Sequence, residues 1–256
     1  MVADDGGDTG LPVGLEAAWG LRERPAKGPK RGLSVDRIVA TGIAVADAEG
    51  IDAVSMGRVA KELGVSTMSL YRYVAAKDEF YVLMQDAATG PPPPRPASAD
   101  GWRAGLEWWA RAQRDTFRRN LWLLRIPIGS PPATPNGLAW MEQGLQVLDG
   151  CGLDEGRKIS VMMLVGGYVR NEVSLMSGLD AAMRAEGLTP DAVMRRYERT
   201  VDALTSARAE RFPALRRLLA TGVLGEADAE DTEFEFGLAR VLDGVAVLVG
   251  GPGSGG

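Results

Sequence analysis

The sequence predicts an all-α protein in which a small N-terminal bundle of helices is followed by a larger helical domain. Apolar residues recur at steps of three and four along most of the 256-residue chain, which is the period of an amphipathic helix. Few segments alternate with period two, as half-buried strands do. The proline run at 91–96 cannot be helical and therefore separates the two parts.

The composition disfavours catalytic and metal-binding chemistry. The chain has no histidine and a single cysteine, Cys151, so it lacks the residues of a histidine-based triad or a thiolate metal cluster. We therefore predict no enzymatic activity, no catalytic residues, no metal ligands and no cofactor. A lone cysteine suits the reducing cytoplasm. We also expect no signal peptide and no membrane partner, because no apolar run approaches the required length.

Positive charge is concentrated just before the first helix of the predicted bundle. The net charge is −5, yet residues 22–31 hold five basic residues and one acidic residue. This asymmetry indicates an anionic partner for the N-terminal part. Residues 1–33 contain seven glycines and three prolines without a period, so they are predicted to form a flexible arm. The tail at 251–256 is predicted to be flexible for the same reason.

The segment 34–89 is predicted to contain four helices. Ser34, Ser55 and Ser66 can each cap the helix that follows. The first helix ends at Gly50, and the others cover Met56–Leu63, Thr67–Tyr73 and about Asp78–Ala88. Gly64 supplies the left-handed residue that a tight turn between the second and third helices requires.

The second and third helices predict a helix-turn-helix within a three-helix bundle. Their inward residues fix the interhelical angle; these are Val59, Ala60, Leu63, Val65 and Leu70. Such a unit places its second helix in a DNA major groove while the first crosses the backbone. Thr67, Met68, Ser69 and Tyr71 on the outward face suit base edges, thymine methyls and phosphates. From spacing alone, a small bundle with a solvated face is an alternative.

The segment GIAVADAEGIDAVSMGRVAKELGVSTMSLYRYVAAKDEF resembles the DNA-binding domain of the tetracycline-repressor (TetR) family over about Leu33–Ala88. The resemblance is carried by the Glu-Gly ending of the first helix, Ser55, Ala60, Leu63-Gly64-Val65, Leu70-Tyr71-Arg72-Tyr73-Val74 and Lys77. The stretch FEFGLARVLDGVAVLV at 234–249 is similar to the last helix of the branch that includes the tetracycline repressor itself.

The resemblance implies DNA-binding roles by position. The positions that touch bases or nearby phosphates in family members are occupied here by Thr67, Met68, Ser69 and Tyr71. The positions that hold the DNA backbone in family members are occupied by Ser55, Tyr73 and Lys77. Lys30 and Arg31 could reach a minor groove, and Arg58 could contact a phosphate. Gly57 stands where the tetracycline repressor has an arginine that reads guanine, so the tetracycline operator is not expected.

The segment 97–250 is predicted to be a larger helical domain for ligand binding and dimerisation. Its helices are expected near Trp102–Arg118, Leu121–Arg125, Pro135–Asp149, Asp154–Glu186, Pro190–Arg208, Pro213–Ala220 and Asp231–Val249. Its tryptophan and methionine side chains are typical of an ordinary core and also of an adaptable apolar pocket. The candidate ligand-binding residues are Trp109, Gln113, Phe117, Trp140, Met163 and Asn171.

The helices 154–186 and 231–249 are the expected dimer surfaces. Phe234, Leu238, Val241, Leu242, Val245 and Leu248 form an apolar stripe along the second of these helices. Burial of that stripe within one chain is the alternative. The resemblance implies instead a four-helix interface shared by two chains, and a two-fold dimer requires a two-fold operator.

The expected function is a ligand-responsive transcriptional repressor. A homodimer would bind a palindromic operator in double-stranded DNA, and a small apolar effector would release it. One alternative is a DNA-binding regulator without a ligand, whose C-terminal domain only dimerises. The other is an all-α enzyme, for which the chain offers little catalytic machinery.

Overall fold

A computed structural model describes residues 11, 13–21, 33–127, 133–227, 229 and 231–250. These residues form helices, turns and loops, with no strand among them, which confirms the predicted all-α class. The helices are α1 Val13–Ala18, α2 Val35–Glu49, α3 Met56–Leu63, α4 Thr67–Tyr71, α5 Lys77–Thr89, α6 Gly101–Arg119, α7 Pro135–Val147, α8 Glu155–Glu186, α9 Pro190–Ser206, α10 Pro213–Leu219 and α11 Thr232–Gly250. Short 3-10 turns lie at Ile51–Ala53, Leu121–Arg125, Ala209–Arg211 and Val223–Gly225.

The predicted serine caps are confirmed at the first three helices of the bundle. The Oγ atoms of Ser34, Ser55 and Ser66 accept hydrogen bonds from backbone N–H groups three residues further on. Gly64 adopts the left-handed conformation with φ 67°, as a tight turn requires. The third helix is shorter than predicted and ends at Tyr71, because the Leu70 carbonyl accepts from the N–H groups of residues 73 and 74 and so tightens the last turn.

Within the segment 1–33, which the sequence predicts to be a flexible arm, residues 13–18 form the short helix α1. This helix packs against α5, and Ala18 contacts the hydrophobic core of the bundle. The Trp19 indole Nε1 donates a hydrogen bond to the Ala133 carbonyl at 2.8 Å. These contacts offset the ordering cost that the glycine-rich surroundings impose. Lys30, Arg31 and the tail 251–256 lie outside the described residues.

The chain divides into two compact units between residues 166 and 167, within α8. The first unit holds the predicted DNA-binding bundle together with α6, α7 and the beginning of α8. The turn at 121–126 belongs to the first unit because it joins the core of the bundle. Trp122, Leu123 and Ile126 are buried there with residues of α2 to α5, such as Leu70 and Phe80.

The second unit contains the rest of α8 with α9, α10 and α11. Tyr168 stacks on Phe234 with ring centroids 5.9 Å apart, and its hydroxyl donates to the Phe234 carbonyl at 2.9 Å. Gly237 leaves the room that this tyrosine needs, since a Cβ there would overlap the phenol ring. Four residues of the predicted stripe on α11 are buried within the chain: Phe234, Leu238, Leu242 and Val245. Leu248, from the same stripe, is exposed.

Other apolar side chains of the second unit are exposed. They are Leu175, Met176 and Leu179 on α8, and Phe236 and Val247 on α11. These side chains therefore remain available to a partner, whereas most of the predicted stripe does not.

Within the described ranges, every helix is too short or too polar to span a lipid bilayer.

Candidate nucleic-acid interface and effector region

Helix α3 fixes the position of α4 through a compact apolar contact. Val59 and Ala60 on α3 and Leu70 on α4 are buried, and the Ala60 carbonyl accepts hydrogen bonds from the N–H groups of Gly64 and Val65. The small side chain at position 60 permits this close approach of the turn. The opposite face of α4 is left facing solvent.

The outward face of α4 presents an apolar and a phenolic side chain. Met68 is 75% exposed and Tyr71 is 44% exposed. Thr67 and Ser69 are half-buried, and the Ser69 hydroxyl lies 2.9 Å from the hydroxyl of Ser66. The four residues predicted to read bases therefore share one short helix, and Met68 and Tyr71 are its most accessible members.

The predicted backbone clamps differ in accessibility. Lys77, the first residue of α5, is exposed, and its ammonium lies 5.1 Å from the centroid of the Tyr81 ring. Its interaction with the Tyr81 side chain raises the pKa of Lys77 above its ordinary value, which keeps the ammonium charged. The Oγ of Ser55 accepts the Arg58 N–H at 3.1 Å. Tyr73 is half-buried against the core of the bundle.

Arg58 is held by two carboxylates. Its guanidinium donates to both carboxylate oxygens of Glu49, at 3.0 and 2.7 Å, and to Glu62 at 2.9 Å. The hydrogen bonds to Glu49 are the main reason that the pKa of Arg58 is raised. This arrangement braces α3 against the end of α2 and uses donors that a phosphate would need. The geometry gives no support to the predicted phosphate contact of Arg58.

Two of the predicted ligand-binding residues connect α6, α7 and the segment after α5. Trp109 on α6 is buried, and its Nε1 donates to the Trp140 carbonyl at 3.2 Å. Trp140 on α7 is buried too, and its Nε1 donates to the Gly90 carbonyl at 3.0 Å. A Cβ at Gly144 would lie 2.5 Å from the Met162 methyl and 3.1 Å from the Trp109 ring, so a side chain there would be crowded. Both tryptophans therefore belong to a close-packed contact between helices.

Gln113 has an unsatisfied amide inside the first unit. Its Nε2 is buried and has no hydrogen-bond partner within the described residues. Its Oε1 lies close to Gly166, where a Cβ would be 3.5 Å away. Burial of an amide donor without a partner costs about 1–3 kcal/mol. A ligand with an acceptor at this position would remove that cost.

The other predicted ligand-binding residues are not gathered with Gln113. Phe117, one turn further along α6, packs against the core of the bundle. Met163 is 73% exposed. Asn171 is exposed on α8, and its four-residue spacing to Leu175 places both on one helix face. The structure thus brings Trp109 and Trp140 into contact, keeps Gln113 and Phe117 on α6, and leaves Met163 and Asn171 facing solvent.

Three polar contacts tie the bundle to the segment 121–137, and sequence reasoning missed them. The Asp86 carboxylate on α5 accepts from the backbone N–H groups of Asn136 and Gly137, at 3.0 and 3.2 Å. The Trp122 Nε1 donates to Asp47 at 2.7 Å, and Arg125 pairs with Asp52 at 2.6 Å. No local pattern marks these pairs, because their members lie far apart along the chain.

Among the residues that the structure describes, no cluster of cysteine, aspartate and glutamate could hold a metal ion.

Comparison with known proteins shows two family matches. Residues 38–83 match the bacterial regulatory proteins of the tetR family, and residues 94–249 match the tetracyclin repressor-like C-terminal domain. The HTH-type transcriptional repressor DrrR1 of Streptomyces coeruleorubidus is 38% identical over 245 residues, which cover 92% of this chain and 85% of DrrR1. The HTH-type transcriptional repressor Rv1353c of Mycobacterium tuberculosis is 28% identical over 92% of this chain and 87% of its own.

Solved structures agree with these matches. ActR of Streptomyces coelicolor in complex with actinorhodin has a TM-score of 0.70 and 30% identity, covering 86% of this chain and 99% of that chain. ActR in complex with (S)-DNPA has a TM-score of 0.64 and 30% identity, and the match covers 84% of this chain and 98% of that chain. The two family matches together span both the helix-turn-helix and the C-terminal helices. The chain belongs to the TetR family of helix-turn-helix transcriptional regulators.

Proposed function

We propose that this protein is a ligand-responsive transcriptional repressor of the cytoplasm, which binds a palindromic operator as a homodimer and is released by a small apolar effector. The observation that carries the DNA-binding part is the solvent-facing side of α4, where Met68 and Tyr71 are exposed on a helix whose other side is buried. An exposed methionine and tyrosine on a five-residue helix gain apolar contact only when another molecule covers them.

A DNA major groove supplies suitable partners for this face. The Met68 side chain can cover a thymine methyl, and the hydroxyls of Thr67 and Ser69 can bond to base edges. We expect contacts to the sugar-phosphate backbone from Tyr71, Tyr73, Ser55 and Lys77, with Lys77 as a point charge. Lys30 and Arg31 are proposed to follow a minor groove. Arg58 is left out of this interface because Glu49 and Glu62 hold its guanidinium.

The homodimer is supported by the exposed apolar face of the second unit. Leu175 and Leu179 on α8 and Phe236 and Val247 on α11 are exposed to solvent in the single chain. Apolar residues concentrated on two helices are typical of an interface with a second copy. A two-fold axis through that interface presents two copies of α4, and this symmetry requires an operator of two inverted half-sites.

The effector is proposed to bind beside Gln113. The unsatisfied Nε2 of Gln113 would donate to a ligand acceptor, and the aromatic neighbourhood of Trp109 on α6 would supply apolar contact. ActR, whose solved structures contain actinorhodin and (S)-DNPA, is a relative with 30% identity. The ligand complexes of this relative and the buried, unpaired amide of Gln113 together support a small-molecule effector for this chain.

Release requires that the effector binds two states with different affinity. The contacts of Asp86, Trp122 and Arg125 supply the connection, because they join α5, α2 and the turn at 51–53 to α7 and to the turn at 121–125. A ligand that displaces α6 or the turn at 121–126 would move these partners and tilt the bundle. The two copies of α4 would then lose the spacing that matches the operator.

Selection of bound DNA from a random pool, followed by titration at several salt concentrations, tests the DNA-binding part. Lys77→Ala should weaken binding to every sequence and reduce the salt slope by about one, because one phosphate contact is lost. Met68→Ala should instead relax the preference at one base pair of each half-site. Arg195→Ala, an exposed arginine on α9, is the matched control and should change neither property. A change in base preference for Lys77→Ala with unchanged affinity would show that the roles are misassigned.

The effector part is tested with actinorhodin, the compound present in the ActR structure, added to the complex with the selected operator. Gln113→Leu removes the unsatisfied donor at similar volume, so thermal stability should not fall. The same change should raise the concentration of actinorhodin needed for release about tenfold if one hydrogen bond of about 1.4 kcal/mol is lost. An unaltered release curve for Gln113→Leu would place the effector elsewhere, and no release by any compound would favour a regulator without a ligand.

A further inference from the structure

A groove of about 560 Å³ runs along the first unit between α6 and the proline-rich segment that follows α5. Its lining includes Trp108, Ala112 and Asp115 of α6, which are not candidate effector contacts, and Trp140 of α7, which the sequence predicts to be one. Successive residues of a helix are rotated by about 100°, so Trp108 and Gln113 point about 140° apart. The groove is therefore on a different side of α6 from the unsatisfied amide. Its volume is within the range of about 300–1,000 Å³ that small-molecule sites occupy.

The proline-rich wall of the groove is held in place by side-chain hydrogen bonds. Gln143 Nε2 donates to the Pro93 carbonyl at 2.8 Å, and Trp140 Nε1 donates to the Gly90 carbonyl at 3.0 Å. Arg95 Nε donates to the Ala99 carbonyl at 2.8 Å and closes the far end of the segment. Proline adds stiffness because its φ angle is restricted. The groove is thus formed before any ligand enters, which lowers the cost of binding.

The interior of the groove suits a flat ring system. Trp108 and Trp140 contribute indole surfaces, and Pro91, Pro93 and Ala112 contribute aliphatic surface. Small residues on α6 keep the space open beside the larger aromatic ones. A planar aromatic molecule would stack against Trp108 with the prolines on its other side.

The charged rim is only partly neutralised. Glu107 is shared by Arg103 and Arg111, at 3.4 and 3.8 Å. In contrast, Asp115 has neither an ion pair nor a side-chain hydrogen bond within the described ranges. Arg119 donates to the Thr116 hydroxyl at 3.2 Å, yet it has no carboxylate partner among the same residues. Both lie in the lining of the groove, four positions apart on α6. The rim therefore offers one carboxylate and one guanidinium to an incoming molecule.

We propose that this groove is a second small-molecule site and that it takes a flat aromatic zwitterion. The ring system would stack on Trp108, a cationic amine would pair with Asp115, and an acidic group would accept hydrogen bonds from Arg119. A ligand with one charge of either sign would leave one of these two side chains without a partner. The site does not depend on the effector that is proposed to bind beside Gln113.

Three xanthene dyes of related shape test the charge requirement on the full-length protein. Rhodamine B carries both a ring cation and a carboxylate, rhodamine 6G carries the cation with the acid esterified, and fluorescein carries the acid without an amine. Fluorescence anisotropy should show rhodamine B binding at least tenfold more tightly than either of the other dyes. Equal affinity for the three dyes, or no binding of rhodamine B, would overturn the proposal.

Variants locate the bound dye. Asp115→Asn and Arg119→Gln, both at exposed positions that should not affect folding, should each weaken rhodamine B binding at least tenfold. Asp115→Asn should also remove the preference for rhodamine B over fluorescein. Arg118→Gln, the adjacent exposed arginine outside the groove lining, is the matched control. Gln113→Leu should leave dye binding unchanged, so a failure of the effector proposal can be distinguished from a failure of the second-site proposal. Loss of dye binding in Arg118→Gln or Gln113→Leu, with Asp115→Asn unaffected, would refute the assignment.

Discussion

Replacement of Asp86 by alanine tests the contact through which the DNA-reading bundle holds α7. The Asp86 carboxylate accepts three hydrogen bonds, from the backbone N–H groups of Asn136 and Gly137 and from Asn136 Nδ2. Two of these donors are orphan N–H groups in the first turn of α7. The carboxylate therefore acts as an additional cap supplied by α5, placed where the dipole of α7 favours negative charge.

The stability lost in Asp86→Ala can be worked out from the individual contacts. Thr134 Oγ1 also accepts the Gly137 N–H, at 3.3 Å, so alanine at position 86 leaves that donor partly satisfied. Loss of a capping acceptor costs typically about 1 kcal/mol, and loss of the favourable charge at the helix N-terminus costs about 0.3–1 kcal/mol. With the side-chain bond from Asn136 added, Asp86→Ala should lower the free energy of unfolding by about 2 kcal/mol. For a protein of this size the melting temperature should fall by roughly 4–8 °C.

Urea unfolding followed by tryptophan fluorescence, together with thermal melting by circular dichroism, measures this loss. Asp86→Asn keeps one acceptor oxygen and should lose about half as much stability. Asp180→Ala, an exposed carboxylate on α8, is the control and should stay within about 0.5 kcal/mol of the parent protein. A loss for Asp86→Ala no larger than that of Asp180→Ala would refute the view that this carboxylate holds α7.

Further predictions concern glycines, Trp109 and the last helix. Gly42→Ala should lower stability by about 1–3 kcal/mol in a denaturant titration, because its Cβ would lie 2.9 Å from the Met84 sulfur. Gly57→Ala, where the space is open, should raise stability by up to about 1 kcal/mol; an equal loss in both variants would contradict this reasoning. Trp109→Ala should weaken the effector response more than operator affinity in a gel-shift titration, and the reverse order would identify Trp109 as structural core. Deletion of residues 234–256 should abolish the dimer in sedimentation and with it operator binding, so a dimeric truncated protein that still holds DNA would disprove the assigned interface.

Most helix boundaries could be predicted because local residues determine them. Serine caps and proline at the first helical position act within one turn, so Met56–Leu63 and the start at Pro190 agree with the structure. The short helix α1 was missed because its apolar run lies among glycines and gains its stability from contact with α5. Local signals do not report such a distant partner.

The helical period of apolar residues predicted less about the candidate sites than local signals predicted about the helix boundaries. It identified the apolar stripe on α11, but Phe234 and Leu242 are buried within the chain while Phe236 and Val247 face outward. The density of tryptophan and methionine placed Met163 among the candidate ligand contacts, although the structure leaves that side chain exposed. A periodic pattern states that one face is apolar and leaves open whether the same chain or a second copy covers it.

The sequence by itself determined the all-α class and the residues on the outward face of α4, because these follow from spacing and capping within a few turns. The helix-turn-helix follows from the same spacing together with the resemblance to the TetR family. The tertiary structure alone decided which distant groups meet. Asp86 and Asn136 are separated by 50 positions, and Asp47 and Trp122 by 75. It also decided that the Gln113 amide is left unsatisfied and that Asp115 and Arg119 line an open groove. Hydrogen bonding and exposure at these positions depend on how the helices of the first unit pack together, and no short window of sequence contains that information.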